Sequence, residues 1–185
     1  MELMTEVEII EGCKKLERHC QKMLVSRYSG MLFTVARRYC VDDFLAREAL
    51  QEGLIRVFKY IGSFDSKKGD FQSWMKKIVA NESIKILKKN QGIFPLTDIS
   101  ELKSPTANAL DDLHEEELIK LIQQLPIGYR EVFNMYVIDG YSHKEIAGAL
   151  GISESTSRSQ LTRAKKLLKQ KISMIENLQL CRKKA

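Results

Sequence analysis

The sequence predicts an all-α protein, built as two small helical domains joined by a flexible linker. Three observations predict it. Apolar residues return at three- and four-residue steps through most of the chain, and no stretch alternates apolar and polar residues as a half-buried strand would. Only three prolines occur, at 95, 105 and 126, and none lies inside a strong apolar repeat. Between Gln91 and Asp112 the repeat lapses, and Gly92, Pro95, Ser100, Ser104 and Pro105 take its place. The second domain is expected to be a four-helix body containing a helix-turn-helix.

The elements follow in order. A first helix is expected over roughly Glu6 to Leu24, with Val7, Ile10, Cys13, Leu16 and Cys20 along one side. A second, from about Ser26 to Cys40, carries Tyr28, Leu32, Val35, Ala36 and Tyr39. Asp42 or Asp43 starts a third that runs to Ile61, with Leu45, Ala49, Leu50, Leu54, Val57, Phe58 and Ile61 apolar. A fourth begins near Phe71 and ends by Asn90, using Trp74, Ile78, Ile84 and Leu87. These make a domain over residues 1–90. The linker, 91–112, would span roughly 25 Å as a flexible coil. The second domain, 113–175, opens on a helix with Leu118, Leu121, Ile122 and Leu125, stopped by Pro126. Tyr129 to Ile138 forms the next helix, closed by Gly140. Residues 176–185 are expected to be a basic tail, frayed at least from Cys181 to Ala185.

The helix-turn-helix is the most informative stretch. Ser142 and Glu145 form an S-x-x-E capping box, which satisfies free amides at a helix start. Ile146, Ala147 and Leu150 then mark one apolar face, and the small Ala147 permits a close crossing. Gly151 falls where the chain must turn through the left-handed region. Ser153 can cap a second, basic helix whose apolar positions are Leu161, Ala164, Leu167 and Leu168. Glu154, Ser155, Thr156, Arg158, Ser159 and Gln160 near its start would then face a major groove. A plain αα-hairpin is the alternative.

Charge distribution supports a polyanion partner better than the net charge of +6 does. Ser142 to Ala185 holds ten Lys/Arg against three Glu, and Asp65 to Asn90 holds seven Lys against three acids. Between Asp98 and Leu118 seven acids face only Lys103. Two basic blocks separated by an acidic one suggest two nucleic-acid surfaces on separate bodies. Cys13, Cys20, Cys40 and Cys181 contain no C-x-x-C pair, so no metal site is expected. No signal peptide or membrane-length apolar run is present, so the cytoplasm is the expected compartment, with no membrane insertion and reduced thiols. The thiols read as small apolar residues in or near helices. His114 and His143 read as isolated polar-face residues, and no nucleophile–base pair or phosphate-cradling glycine loop suggests an enzyme or a cofactor.

Three segments then become specific. AREALQEGLIRVFKYIGSFD, FQSWMKKIVANESIKILKK and LIQQLPIGYREVFNMYVIDGYSHKEIAGALGIS, in this order, resemble bacterial RNA polymerase sigma factors. The two-domain form is similar to the extracytoplasmic function (ECF) group, over about Ile9 to Lys171 apart from the linker. The resemblance implies that the first domain binds the polymerase clamp through Glu48, Gln51 and Glu52, with Leu54, Ile55 and Phe58 alongside. Glu48, Gln51, Glu52 and Ile55 share one helical stripe that could meet a basic partner, although a solvated charged face would look the same. The resemblance also implies recognition of melted −10 DNA by the Lys-rich segment, with Lys67, Lys68, Phe71, Trp74, Lys77, Asn81 and Lys85 as candidates. Aromatic faces beside lysines can stack bases and follow phosphates. Trp74, however, also continues an apolar face and reads first as a core anchor. In the family the loop entering this helix, here Ser63 to Asp70, holds a base flipped out of the strand.

The helix-turn-helix correspondingly resembles the part that reads the −35 element as duplex. Ser155, Arg158, Ser159, Gln160 and Arg163 are its candidates, with Thr156, Lys165 and Lys166 at phosphates. Ser155-Thr156-Ser157-Arg158-Ser159-Gln160 departs from the family's usual pattern. Ser157 stands where an apolar packing residue is usual, and Gln160 where an Arg is usual. Gln suits adenine and Arg suits guanine, which leaves the preferred −35 sequence open. The implied partners are core RNA polymerase and promoter DNA. A monomer is expected. The linker would let an anti-sigma protein clamp the two bodies together, as happens for many relatives, but no residue marks such a partner. A stand-alone helix-turn-helix repressor or activator would leave QEGLIRVF without a role, and a helical adaptor would leave the lysines merely solvated.

Overall fold

The structure is a computed structural model that describes residues 4–90 and 113–182, without the side chains of 113–115 and 176–182. The expected linker (91–112), the side chains of His114 and Cys181, and residues 183–185 lie outside the described residues. The chain divides into two compact units, residues 1–93 and 94–185.

The first unit holds four helices: α1 (Glu6–Lys14), α2 (Arg18–Tyr39), α3 (Asp43–Tyr60) and α4 (Phe71–Asn90). Thr5 and Glu8 form a capping box at the start of α1, and the backbone N–H and hydroxyl that Thr5 donates to Glu8 hold its carboxyl below the usual range. The single helix expected from Glu6 to Leu24 is in fact two. Glu17 N–H donates to Gly12 O and Leu16 N–H to Cys13 O, both at 3.0 Å, which is the paired bonding of a Schellman turn. Leu16 takes the left-handed position at φ 62°, where glycine is usual, so the sequence carries no visible stop signal there. The turn also points Leu16 into solvent at 72% exposure, and Val7 is 68% exposed, so neither belongs to the buried side expected for them. The second helix therefore starts at Arg18 rather than Ser26.

Asp42 caps α3 by accepting from Phe44 N–H at 2.6 Å, and a 3₁₀ turn over Ile61–Ser63 closes it. Ile9, Leu24, Leu32, Tyr39, Val57, Met75 and Val79 form the interior. Gly53 lets α3 and α4 touch, since a Cβ there would stand 2.6 Å from Val79 Cγ2. Cys13, Cys20 and Cys40 are free and buried, as small apolar residues would be. Burial, with Cys20 and Glu17 nearby, pushes the Cys13 thiol up to about 11, which keeps it un-ionised at neutral pH.

The second unit holds α5 (Leu113–Gln123), α6 (Ile127–Phe133), α7 (His143–Leu150) and α8 (Glu154–Arg182). Pro126 separates α5 from α6, and buried Arg130 donates Nη1–H to Gln123 O at 2.9 Å, placing a cation at the carbonyl end of α5. α6 continues as a π-helical stretch, Asn134–Ile138, before Gly140 turns the chain at φ 74°. Leu125, Ala164 and Leu168 form the centre of this core, with Leu121, Tyr129, Phe133 and Leu167 packed on it. α7 starts at the Ser142–Glu145 capping box and ends at Gly151, which sits at φ 72°. Helix continues in α8 to Arg182, past the expected domain boundary at 175.

Candidate functional site

Three surfaces carry the residues of interest. On α3, Ala46, Ala49, Gly53 and Val57 face inward. Gln51, Glu52 and Ile55 face outward and are exposed, while Glu48, Leu54 and Phe58 are half-buried along the edges of the stripe. Ile55 is 52% exposed, a branched apolar side chain between acids and amides. Phe44 was missed. It lies seven residues before Gln51 on the same stripe and is 74% exposed. The stripe thus has apolar points at Phe44 and Ile55 with Glu48, Gln51 and Glu52 between and beside them.

α4 buries nine side chains, from Phe71 to Leu87, and exposes a narrow strip. Lys77, Asn81 and Lys85 are exposed on that strip, four residues apart, and half-buried Trp74 precedes them by three. The structure therefore brings Trp74, Lys77, Asn81 and Lys85 together. It does not bring Phe71 with them. Phe71 is 1% exposed, with its ring stacked on Trp74 at 5.6 Å and edge-on to Tyr28 at 5.9 Å, so it serves the core rather than the exposed strip. Its place on the helix, rather than its chemistry, decides this, because it continues the face of Met75 and Val79.

Phe64, from the loop before α4, joins the same cluster, 5.0 Å from Phe71 and 5.6 Å from Trp74. It anchors one end of the loop, and Asp70 anchors the other by accepting from Ser73 N–H at 2.8 Å. That bond holds the Asp70 carboxyl below the usual range. Lys67 and Lys68 stand exposed between the anchors. An open pocket of about 530 Å³ lies between α1 and this loop, with Ile10, Phe64 and Phe71 supplying apolar walls and Glu6, Lys67, Lys68 and Asp70 its charged lining. Buried Glu82 receives Arg56 at 2.6 Å and Lys85 at 2.7 Å, so Lys85 reaches the strip already paired.

On α8, Ser157, Leu161, Ala164 and Leu168 face inward. Ser155, Arg158, Ser159, Arg163, Lys165 and Lys166 are exposed, and Thr156 is half-buried. Ser153 caps the helix, accepting from Thr156 N–H at 3.0 Å. Arg158 pairs with Glu154 at 2.7 Å, and Arg163 donates to Tyr129 Oη at 3.3 Å. Gln160 departs from expectation. It turns toward α6, where a Cβ on Gly128 would lie 3.1 Å from its Nε2, and its Oε1 is buried. The missing side chain at Gly128 gives it that space, so Gln160 belongs to the α6–α8 contact and not to the outer face. Thr162, which the sequence reading passed over, is exposed on that face. His143 is not isolated either. Its Nδ1 lies 2.8 Å from Ser157 Oγ and its ring stacks on Tyr136 at 4.3 Å.

Among the described residues no group of three or more His, Cys, Asp or Glu could hold a metal ion, and no helix is long and apolar enough to cross a membrane.

Residues 24–93 match the family model of Sigma-70 region 2, and residues 115–168 match Sigma-70 region 4. The first span contains the α3 stripe and α4; the second contains α7 and the exposed start of α8. Among curated relatives, the ECF RNA polymerase sigma-E factor of Escherichia coli K12 is 24% identical over 187 residues, covering 92% of this chain and 96% of the relative. The ECF RNA polymerase sigma factor SigM of Bacillus subtilis is 29% identical over 133 residues, covering 69% of this chain and 80% of the relative. Among solved structures, the sigma factor RpoE of Bartonella quintana, in complex with the anti-sigma factor NepR, aligns with a TM-score of 0.54 at 19% identity, covering 82% of this chain and 96% of that one. CnrH, in complex with the cytosolic domain of CnrY, aligns at 0.50 and 18%, covering 90% and 96%. The structural likeness bears on the fold; the two regions in their order, with full-length ECF relatives, show that this chain belongs to the sigma-70 factors, in the extracytoplasmic function group.

Proposed function

We propose that the chain binds core RNA polymerase through the outer stripe of α3 and directs it to promoters through two DNA-facing surfaces. One observation carries this reading. Each matched region turns a basic helix face outward, Lys77, Asn81 and Lys85 on α4 and Arg158, Ser159 and Lys166 on α8, while these two helices bury Phe71, Met75 and Val79 and Leu161, Ala164 and Leu168 in their own cores. On the first unit, strand-separated −10 DNA would run along α4. One unstacked base would enter the cavity beside Phe64, at the few kcal/mol that extrusion costs, and Lys67 and Lys68 would hold the adjoining phosphates. On the second unit, the first turns of α8 would read duplex −35 DNA through Ser155, Arg158, Ser159 and Thr162, with Arg163, Lys165 and Lys166 at phosphates.

The chain acts as a specificity subunit, and polymerase supplies the chemistry. It would work in the cytoplasm beside core polymerase. Two weak contacts joined by a linker sum to useful affinity, and an inhibitor that held the units together would remove that advantage. The complex of the similar sigma factor RpoE with the anti-sigma factor NepR makes an anti-sigma protein the expected form of control.

Affinity for core polymerase tests this directly. Labelled protein titrated with purified bacterial core should bind, and Gln51→Ala/Ile55→Ala should weaken binding at least tenfold, the scale of about 1.4 kcal/mol. Absence of binding, with duplex DNA shifted by the chain alone, would identify a conventional repressor instead.

A further inference from the structure

α7 and α8 must cross at a fixed angle, and α8 must hold a fixed rotation about its own axis, for its first turns to present the same side chains to a groove. Most of their contact is apolar and non-directional: Ile146 is fully buried and Leu161 nearly so. Ser157 is different. It is fully buried, and its Oγ lies 2.8 Å from Nδ1 of His143, the first residue of α7. The His143 ring is itself stacked on Tyr136, centroids 4.3 Å apart and planes within 20°. Tyr136 belongs to the π-helical stretch after α6. Three elements therefore meet at one part-buried hydrogen bond, in the same turn of α8 as the outward Ser155, Arg158 and Ser159.

We infer that His143 is a positioning residue for the DNA-reading face of α8, acting through Ser157; this rests on the proposed reading of α8 as the −35 surface. A hydroxyl removed from water needs a partner, and in this orientation of α8 Ser157 Oγ meets Nδ1 of His143. Apolar packing tolerates a small roll of a helix, whereas a hydrogen bond weakens steeply with angle. The Tyr136 stack fixes the ring plane and with it the direction of the bond. His143 touches no DNA in this arrangement; it sets where Ser155, Arg158 and Ser159 point.

The test uses holoenzyme reconstituted from core polymerase and the full chain. A promoter selected from genomic fragments by the wild-type holoenzyme is compared with a copy whose −35 element is scrambled, and the ratio of open-complex formation is the readout. Thermal melting of each variant sets an assay temperature at which all are folded. His143→Leu and Ser157→Val should each lower the ratio about tenfold, the size of one mispositioned base contact. His143→Asn, whose amide stands where Nδ1 did, should stay within about threefold of wild type. The double variant His143→Leu/Ser157→Val should be no worse than either single one, because both remove the same bond. An unchanged ratio in folded His143→Leu would overturn the inference, as would His143→Asn behaving like His143→Leu or losses that multiply in the double variant. If wild-type holoenzyme itself ignores the −35 element, the reading of α8 falls and the inference with it.

Discussion

α4 and α8 are both lysine-rich helices assigned to DNA, yet they divide their surfaces differently. α4 is enclosed: nine of its side chains are buried, and Trp74, Lys77, Asn81 and Lys85 share what remains. α8 lies on the edge of its unit, burying Ser157, Leu161, Ala164 and Leu168 and leaving a broad polar face. The difference teaches that a basic helix can be a core element with a polar seam or a polar element with an apolar seam. The same substitution has different meanings on each.

The largest contrast comes from one ring. Phe71→Ala should cost about 3–5 kcal/mol of stability, because it empties the centre of the Tyr28–Phe64–Trp74 cluster. Denaturant unfolding would show it as a large fall in midpoint, with −10 opening falling as well. On α8, Arg158→Ala should do the reverse. Its ion pair with Glu154 is exposed, so stability should move by less than about 0.5 kcal/mol. Discrimination at one −35 position should weaken by about 1–3 kcal/mol, measured as relative open-complex formation on single-base variants. If Arg158→Ala weakened all sequences equally and lowered the salt slope by about one, it would be a phosphate contact.

These expectations show which parts of the molecule were legible. Helix starts at Asp42 and Ser142, the stop at Pro126 and the turn at Gly151 are local chemistry, and the structure has each where its residue type requires. The break after Lys14 was not legible because Leu16 occupies a backbone position that glycine usually marks. Phe71 reads as a −10 candidate because aromatic residues beside lysines fit DNA as well as a core; its register with Met75 and Val79 places it in the core. Gln160 and His143 escaped for a different reason. Their partners, Gly128 and Ser157, are set by tertiary contacts that spacing does not reveal. Ser157 itself is recognisable as a packing position, and a hydroxyl buried there requires a hydrogen-bond partner.

Two smaller effects sharpen the account of the first unit. Leu16→Gly should stabilise it by about 0.5–1 kcal/mol, since an exposed Leu pays for a left-handed backbone that glycine adopts freely. A higher melting temperature would check this, and a lower one would mean that Leu16 packs in solution. Tyr28 gives a pH signature. Burial, with its hydrogen bond to Glu6, raises its hydroxyl to about 12, above the value near 10 of an unfolded tyrosine. The folded state therefore holds the proton more tightly. That stability is complete below pH of about 10 and declines as pH rises toward 12. Between pH of about 10 and 12 wild type should lose more stability than Tyr28→Phe; equal losses would place Tyr28 in solvent.

Core-dependent promoter opening tests the central claim most directly. The protein would be mixed with purified bacterial core polymerase and genomic promoter fragments, and permanganate-reactive thymines mapped beside transcript starts. The account predicts defined starts and a melted −10 segment that appear only with the protein and weaken in Gln51→Ala/Glu52→Ala and in Lys77→Ala/Asn81→Ala. Identical reactivity with and without the protein, or duplex binding indifferent to core polymerase, would contradict it.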